Sequence, residues 1–392
     1  MMIPHASVAN IIQTLLRGET PTWPSRCDDA FIRRFEETAA RHGVRTLLGH
    51  ILAGHPGNGS TPDALVESLT RSLRLEAMLE LCRKAEIMHI VDLLAGKGVQ
   101  SVLLKGTPLA YLYYDQPFLR SRGDTDLFIR AADREAVDAL FRRCGYQRPN
   151  AVSGEWVSRQ TTYFRFDRMR VPHTFDVHWA INNSPIFSPV LTFDDCDEAA
   201  ITVPALGGNA RTLRPDHALT LACMHRAGHM RAPYWVDGVA FTEGNRLIWL
   251  YDIHLLLEEM SRNELDAFAR FTQRKRLKAI CRDALTVTQE CFGTPIPRNL
   301  LDRLEPDEAP EPSACYLHSG GTGILAAEFR AIPGARSKLR FMRELTLPPP
   351  RYLLRKYDKS HAAWLPLLYC RRGAEGLGKV VSRVLSGRRA QI

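Results

Sequence analysis

The stretch LLKGTPLAYLYYDQPFLRSRGDTDLFIRAADREAVDALFRRCGY (103–146), followed by FDVHW (175–179), decides the reading of this chain. Residues 100–104 read as a short strand, Lys105, Gly106 and Thr107 as a turn, and Pro108 as the start of a helix. Thr107 suits the N-cap and Pro108 the first helical position. Backbone amides at such a helix start attract anions, and Gly106 lets a phosphate approach the main chain closely. GDTDLFI is a second strand. Its period of two puts Asp124 and Asp126 on one face and Thr125 and Leu127 on the other. Two carboxylates side by side in a buried strand repel one another and cost desolvation energy unless a cation neutralises them. Asp176, in FDVHW, adds a third carboxylate on a neighbouring strand.

A glycine turn, paired aspartates and a third strand-borne carboxylate resemble the triad of the nucleotidyltransferase superfamily. The wording is similar to one branch, the bacterial "uncharacterised nucleotidyltransferase" family, whose pattern runs leucine-lysine-glycine, arginine, glycine-aspartate-x-aspartate-leucine, then aspartate-x-histidine-tryptophan. LACMHRAGH (221–229) and LIWLYDIHLLL (247–257) extend the likeness over roughly residues 75–259. The resemblance implies an α/β (α+β) fold, a small mixed-sheet nucleotidyltransferase core flanked by N- and C-terminal helical regions. It implies an Mg²⁺-dependent (or Mn²⁺-dependent) enzyme that moves a nucleoside monophosphate from an NTP, ATP first among them, to a hydroxyl acceptor. A small molecule, a peptide and a protein are all open as acceptors. Asp124 and Asp126 would hold metal and triphosphate, and Asp176 the metal beside the acceptor hydroxyl. Gly106 and Thr107, the latter where many nucleotidyltransferases place serine, would meet phosphate. Arg120 fills the family's arginine position and would brace phosphate with its forked donors. The alternative is a non-catalytic scaffold of the same fold that acts through its basic tail.

Other residues have two readings each. Lys105 either contacts a phosphate or is a solvated lysine at a strand end. Arg122 reads as a surface charge. His178 shares a strand face with Asp176 and either touches a carboxylate or the acceptor, or is structural; Trp179 points the other way, into core. His225 and His229 have zinc-like spacing, but no further ligand is evident and packing or cleft lining is favoured. Asp252 either pairs with a charge across helices or faces the acceptor. SGGTG (319–323) lacks the lysine and strand of a phosphate-binding loop and reads as a flexible turn.

The 392 residues exceed one ordinary domain. The expected division is a helical region 1–97, the nucleotidyltransferase core 98–213, a helical domain 214–304, and a linker with basic tail 305–392. Helices are expected at 7–16, 28–53 with a break near Gly43, 63–96, 132–144, 215–229, 247–260 and 264–291. A hairpin is expected from 161–166 and 173–181, with a loop at 232–245 and a proline-rich linker at 305–313. No apolar run approaches the ~20 residues that span a bilayer. The N-terminus does not read as a secretory signal, and nine scattered cysteines without CxxC spacing fit a reducing cytoplasm. The net charge of +9 is uneven: residues 331–392 hold 14 Lys+Arg against 3 acids, which leaves −2 for the rest. The tail interleaves Arg351, Arg355, Lys356 and Lys359 with Tyr352, Leu353, Leu354, Trp364, Leu365, Leu367 and Leu368. Such a surface suits an anionic membrane at the inner face, an acidic partner or nucleic acid, or else it packs back on the helical domain with its cations solvated.

Overall fold

The computed structural model describes residues 7–54, 61–148, 156–236 and 238–375. The N-terminal region is helical: α1 (Val8–Leu16), α2 (Asp29–His42), α3 (Arg45–Gly54) and the long α4 (Asp63–Ala95). Apolar residues at helical spacing gather Ile11, Ile12, Phe31, Phe35, Leu47 and Leu48 into one core. The Asp28 carboxylate accepts from the Phe31 amide at 2.9 Å and starts α2. Gly43 stops it in the left-handed region at φ 72°, which is the expected break. A side chain there would also lack room, because a Cβ would lie 2.9 Å from Ile248 and 3.1 Å from the Arg246 guanidinium.

The central segment runs β1 (Ser101–Leu104), α5 (Gly106–Leu112), β2 (Thr125–Ile129), α6 (Arg134–Arg143), β3 (Gln160–Phe166), β4 (Pro172–His178), α7 (Phe193–Glu198), β5 (Ile201–Thr202) and β6 (Arg211–Thr212). Its six-stranded mixed sheet has the order β3-β4-β2-β1-β6-β5. The β2 strand pairs antiparallel with β1 and parallel with β4. Both faces are covered. Val102, Leu104 and Phe128 enter the core made with the C-terminal helices, while Leu103, Leu127, Ile129, Phe175 and Val177 enter a second core with α4 and α6. Double burial explains why TDLFI reads as an almost unbroken apolar run.

The chain continues as α8 (Pro215–His229), the hairpin β7 (Tyr234–Val236) and β8 (Val239–Phe241), α9 (Leu247–Glu259), α10 (Arg262–Lys275), α11 (Lys278–Phe292), α12 (Arg298–Arg303), α13 (Cys315–His318), α14 (Gly321–Ala331), α15 (Ala335–Thr346) and α16 (Pro350–Lys356). Three expectations change here. The helix expected over 264–291 is two, because Arg276 adopts a left-handed conformation at φ 56° between α10 and α11. The loop expected at 232–245 contains the β7–β8 hairpin. SGGTG is no free turn, since Gly320 precedes α14 and Gly321 begins it.

The segment 305–313 also departs from the expected linker, for its acids find partners on the helical domain. Glu311 accepts from the Lys278 and Ala279 amides at 3.1 and 2.8 Å, at the start of α11, and Asp307 pairs with Lys278 at 2.6 Å. Beyond it Tyr316 and Ile324 join the core shared by sheet and helices. The tail packs in part: Ile332, Phe341, Leu353 and Leu368 are buried, while Leu339, Leu347, Trp364 and Leu367 are exposed. Lys379, Arg383, Arg388 and Arg389 lie outside the described residues. Among the described residues no helix is long and apolar enough to cross a membrane.

Candidate active site

The parallel pairing of β2 with β4 puts Asp126 beside Asp176 and Phe128 beside His178 in register. Side chains on neighbouring in-register positions share a face, so two carboxylates and an imidazole converge. One ligand atom from each of Asp126, Asp176 and His178 lies within 4.8 Å of the others. This is a different trio from the expected one. Asp124 lies just before β2, outside that group, and lines the same cleft.

Each member is held. Asp126 is almost fully buried; its Oδ1 accepts from Lys105 Nζ at 2.6 Å and lies 2.7 Å from His178 Nε2. Burial works to raise the Asp126 carboxyl, but the Lys105 ammonium and His178 outweigh it and hold it below the usual carboxylate range. Asp176 accepts from Gln160 Nε2 at 2.9 Å and Thr162 Oγ1 at 2.6 Å across the hairpin. Asp124 reaches solvent within the cleft, yet its surroundings and the charges of Asp126 and Asp176 push its carboxyl up to about 7. His178 Nδ1 is buried with no hydrogen-bond partner among the described residues. Two carboxylates, a third nearby and an imidazole form a donor set that suits a divalent cation, with oxygen dominant as Mg²⁺ or Mn²⁺ favours.

The strand–helix junction departs from expectation. Lys105, and not Thr107, holds the N-cap position of α5, at φ 55° and ψ −130°. That conformation costs a β-carbon-bearing residue on the order of 1–3 kcal/mol, and the ion pair with Asp126 helps to fix it. Lys105 is therefore not a solvated lysine at a strand end; it lines the cleft paired with Asp126. Thr107 is enclosed at 1% exposure with its hydroxyl 3.5 Å from that of Thr125. Gly106 lines the cleft, where a Cβ would stand 3.1 Å from the Arg120 guanidinium.

Arg120 also lines the cleft, and it forks onto Asp252: Nε to Oδ1 at 2.8 Å and Nη2 to Oδ2 at 2.8 Å. Tyr114 donates to the same Oδ1 at 2.7 Å. Asp252, on α9, is therefore a buried partner for Arg120, which is the first of its two readings. Arg122 is not a surface charge; it is buried on Glu80 of α4 at 2.6 Å. Trp179 is half-buried under the Arg134 guanidinium at 5.0 Å and is not core.

Asp124 and Asp126 open into a cleft of about 650 Å³, lined from α3, α4, the 120–124 loop, α8, β7 and the start of α9, with Asp176 beside Asp126. His225, His229, Tyr234 and Trp249 form an aromatic wall with ring centroids 4.5–6.3 Å apart. Burial lowers both histidines, His229 to about 4, so they are neutral wall residues with no third ligand beside them among the described residues. Arg45, Arg246, Tyr234 and Trp249 were not singled out in the sequence. Helical periodicity places Trp249 in a core stripe, and nothing in the spacing of Arg45 and Arg246 brings them to one cavity.

No curated protein matches the chain. The profile of a family described as "Uncharacterised nucleotidyltransferase" matches residues 28–293, which take in α2 and α3, the whole sheet, both walls of the cleft and α8 to α11. With more than half of the chain matched and Asp126 and Asp176 paired in register on adjacent parallel strands, this chain belongs to the uncharacterised nucleotidyltransferase family.

Proposed function

We propose that this chain transfers a nucleoside monophosphate from an NTP, ATP first among them, to a hydroxyl acceptor in a reaction dependent on Mg²⁺ or Mn²⁺. The observation that carries this reading is the in-register pairing of Asp126 and Asp176 on adjacent parallel strands beneath a cleft of about 650 Å³. Asp126 and Asp176, with Asp124 at the rim, would hold the cation. When bound, the cation screens the charge of the polyphosphate and makes the attacking hydroxyl more acidic. The protein's own residues supply the rest. His178 and Lys105 fix the orientation of Asp126, and Gln160 and Thr162 fix that of Asp176. Preorganised carboxylates need little rearrangement as charge develops. Arg120, oriented by Asp252, keeps a guanidinium at the cleft wall.

Asp176 is assigned to the acceptor side, and Asp124 and Asp126 to the triphosphate side. Nine free cysteines and the use of an NTP fit work in the cytoplasm. The test is to incubate the protein with each labelled NTP, Mg²⁺ and a cell extract, then follow label into a larger product. Label transfer that is lost in Asp126→Asn supports the reading. Transfer undiminished in that variant overturns it.

A further inference from the structure

Five cationic side chains border the cleft: Arg45, Lys105, Arg120, Arg122 and Arg246. Three are answered by carboxylates of the protein itself, Lys105 by Asp126, Arg120 by Asp252 and Arg122 by Glu80, at 2.6–2.8 Å. Arg45 and Arg246 have no carboxylate within ion-pair distance among the described residues. We propose that Arg45 and Arg246 form an anion subsite of the cleft that takes a phosphoryl group.

Arg246 is held as a ligand-binding side chain would be. Its Nε donates to the Arg41 carbonyl at 2.9 Å. Its guanidinium lies over the rings of Tyr234 and Trp249, 5.0 and 5.5 Å from their centroids. Gly43 leaves the space it occupies. Burial lowers its pKa to about 10, with Arg120 adding to the fall and Tyr234, Asp124 and Asp252 opposing it. Arg45, two residues beyond Gly43, has its Nε sealed from solvent without a hydrogen-bond partner among the described residues. Both side chains are half-buried, so each guanidinium is partly withdrawn from water without an ion-pair partner among the described residues, and a bound anion would supply one. The planar fork matches phosphate oxygens in pairs, and the aromatic faces orient it without competing for its donors.

The phosphoryl group has two sources, the triphosphate of the NTP or a phosphate carried by the acceptor. Naming those sources rests on the proposed nucleotidyl transfer; anion binding itself does not. The experiment is calorimetry on the full chain and on Arg246→Gln and Arg45→Gln, with circular dichroism to verify folding. Pyrophosphate and inorganic phosphate are titrated without divalent metal, then phosphate again after saturation with Mg²⁺ and a non-hydrolysable NTP analogue. Either variant is expected to bind pyrophosphate at least tenfold more weakly than the unaltered protein. If the analogue is weakened to match, the NTP is the source. If analogue affinity holds while phosphate no longer binds the analogue-filled variant, the acceptor is the source. Equal pyrophosphate affinity in folded variants and unaltered protein, or none in the unaltered protein, overturns the proposal. A protein that binds pyrophosphate through Arg246 but transfers no label would fail the catalytic reading alone.

Discussion

The floor of the cleft and its helical wall carry charge in opposite ways. On the floor, Asp124, Asp126 and Asp176 crowd together, and Lys105 is the cation among them. On the wall, Arg45 and Arg246 have no carboxylate within ion-pair distance among the described residues. Deeper in, Arg120–Asp252 and Arg122–Glu80 are closed pairs, with side chains no more than 8% exposed. A closed buried pair organises a fold, whereas unbalanced charge of opposite sign on two surfaces of one cavity calls for ligands. A cation on the floor and an anion on the wall satisfy both, and a metal–nucleotide complex brings the two together.

The largest effects should come from the floor. Asp126→Asn or Asp176→Ala should lower transfer by at least ~10³-fold, the scale of losing several kcal/mol of transition-state charge stabilisation. Asp176→Ala should spare NTP affinity, and single-turnover rates compared with the nucleotide dissociation constant check this. Equal losses in both would break the division between acceptor and triphosphate sides. The two aspartates of GDTD should also differ without metal. Asp126→Asn strips an anionic acceptor from Lys105 and His178 and should lower the melting temperature. Asp124→Asn removes repulsion and should hold or raise it.

The closed pairs come next. Asp252→Ala leaves the Arg120 guanidinium buried and uncompensated, and should cost about 3–5 kcal/mol of stability, the range for breaking a buried pair. Denaturant melts measure it. A variant as stable as the parent but poor only in acceptor use would restore Asp252 to the acceptor side and undo the contrast between closed and open charges.

Much of this arrangement was legible in the chain, because the strands that hold the acids are short, apolar and bounded by Gly106, Gly123 and the hairpin turn. Asp126 and Asp176 follow from period two and from a neighbouring strand, whose parallel register is set by the fold. Other features depend on which distant segments meet. Arg122 reads as surface until α4 brings Glu80 to it. Asp252 keeps two readings until Arg120 and Tyr114 converge on it. Arg45 and Arg246 are 201 positions apart, and only the fold places them around Gly43. The two-residue strands β5 and β6 are too short to carry a period. The 305–313 segment is composed like a linker, yet its acids match the cap and cations of α11, a pairing that composition does not encode.

The smallest effect, and the one that most sharpens the contrast, is the pH dependence of the floor. Asp124 titrates near 7 in the folded protein against an ordinary value of 3.8, because its surroundings and the charges of Asp126 and Asp176 disfavour its ionised form. A carboxyl raised on folding binds its proton more tightly in the folded state than in the unfolded one. Without metal, its contribution to stability is therefore most favourable below the unfolded value, declines as pH rises through the folded one, and is level above about 8. The melting temperature of the metal-free protein, measured from about pH 5 to pH 8, should fall more steeply than that of Asp124→Asn. A divalent cation reverses the sense, since it favours the ionised carboxylate: Mg²⁺ affinity should rise with pH through about 7 and then flatten. If the two melting curves run parallel across that range, Asp124 is not coupled to Asp126 and Asp176, and the floor would be the compact group of Asp126, Asp176 and His178 alone.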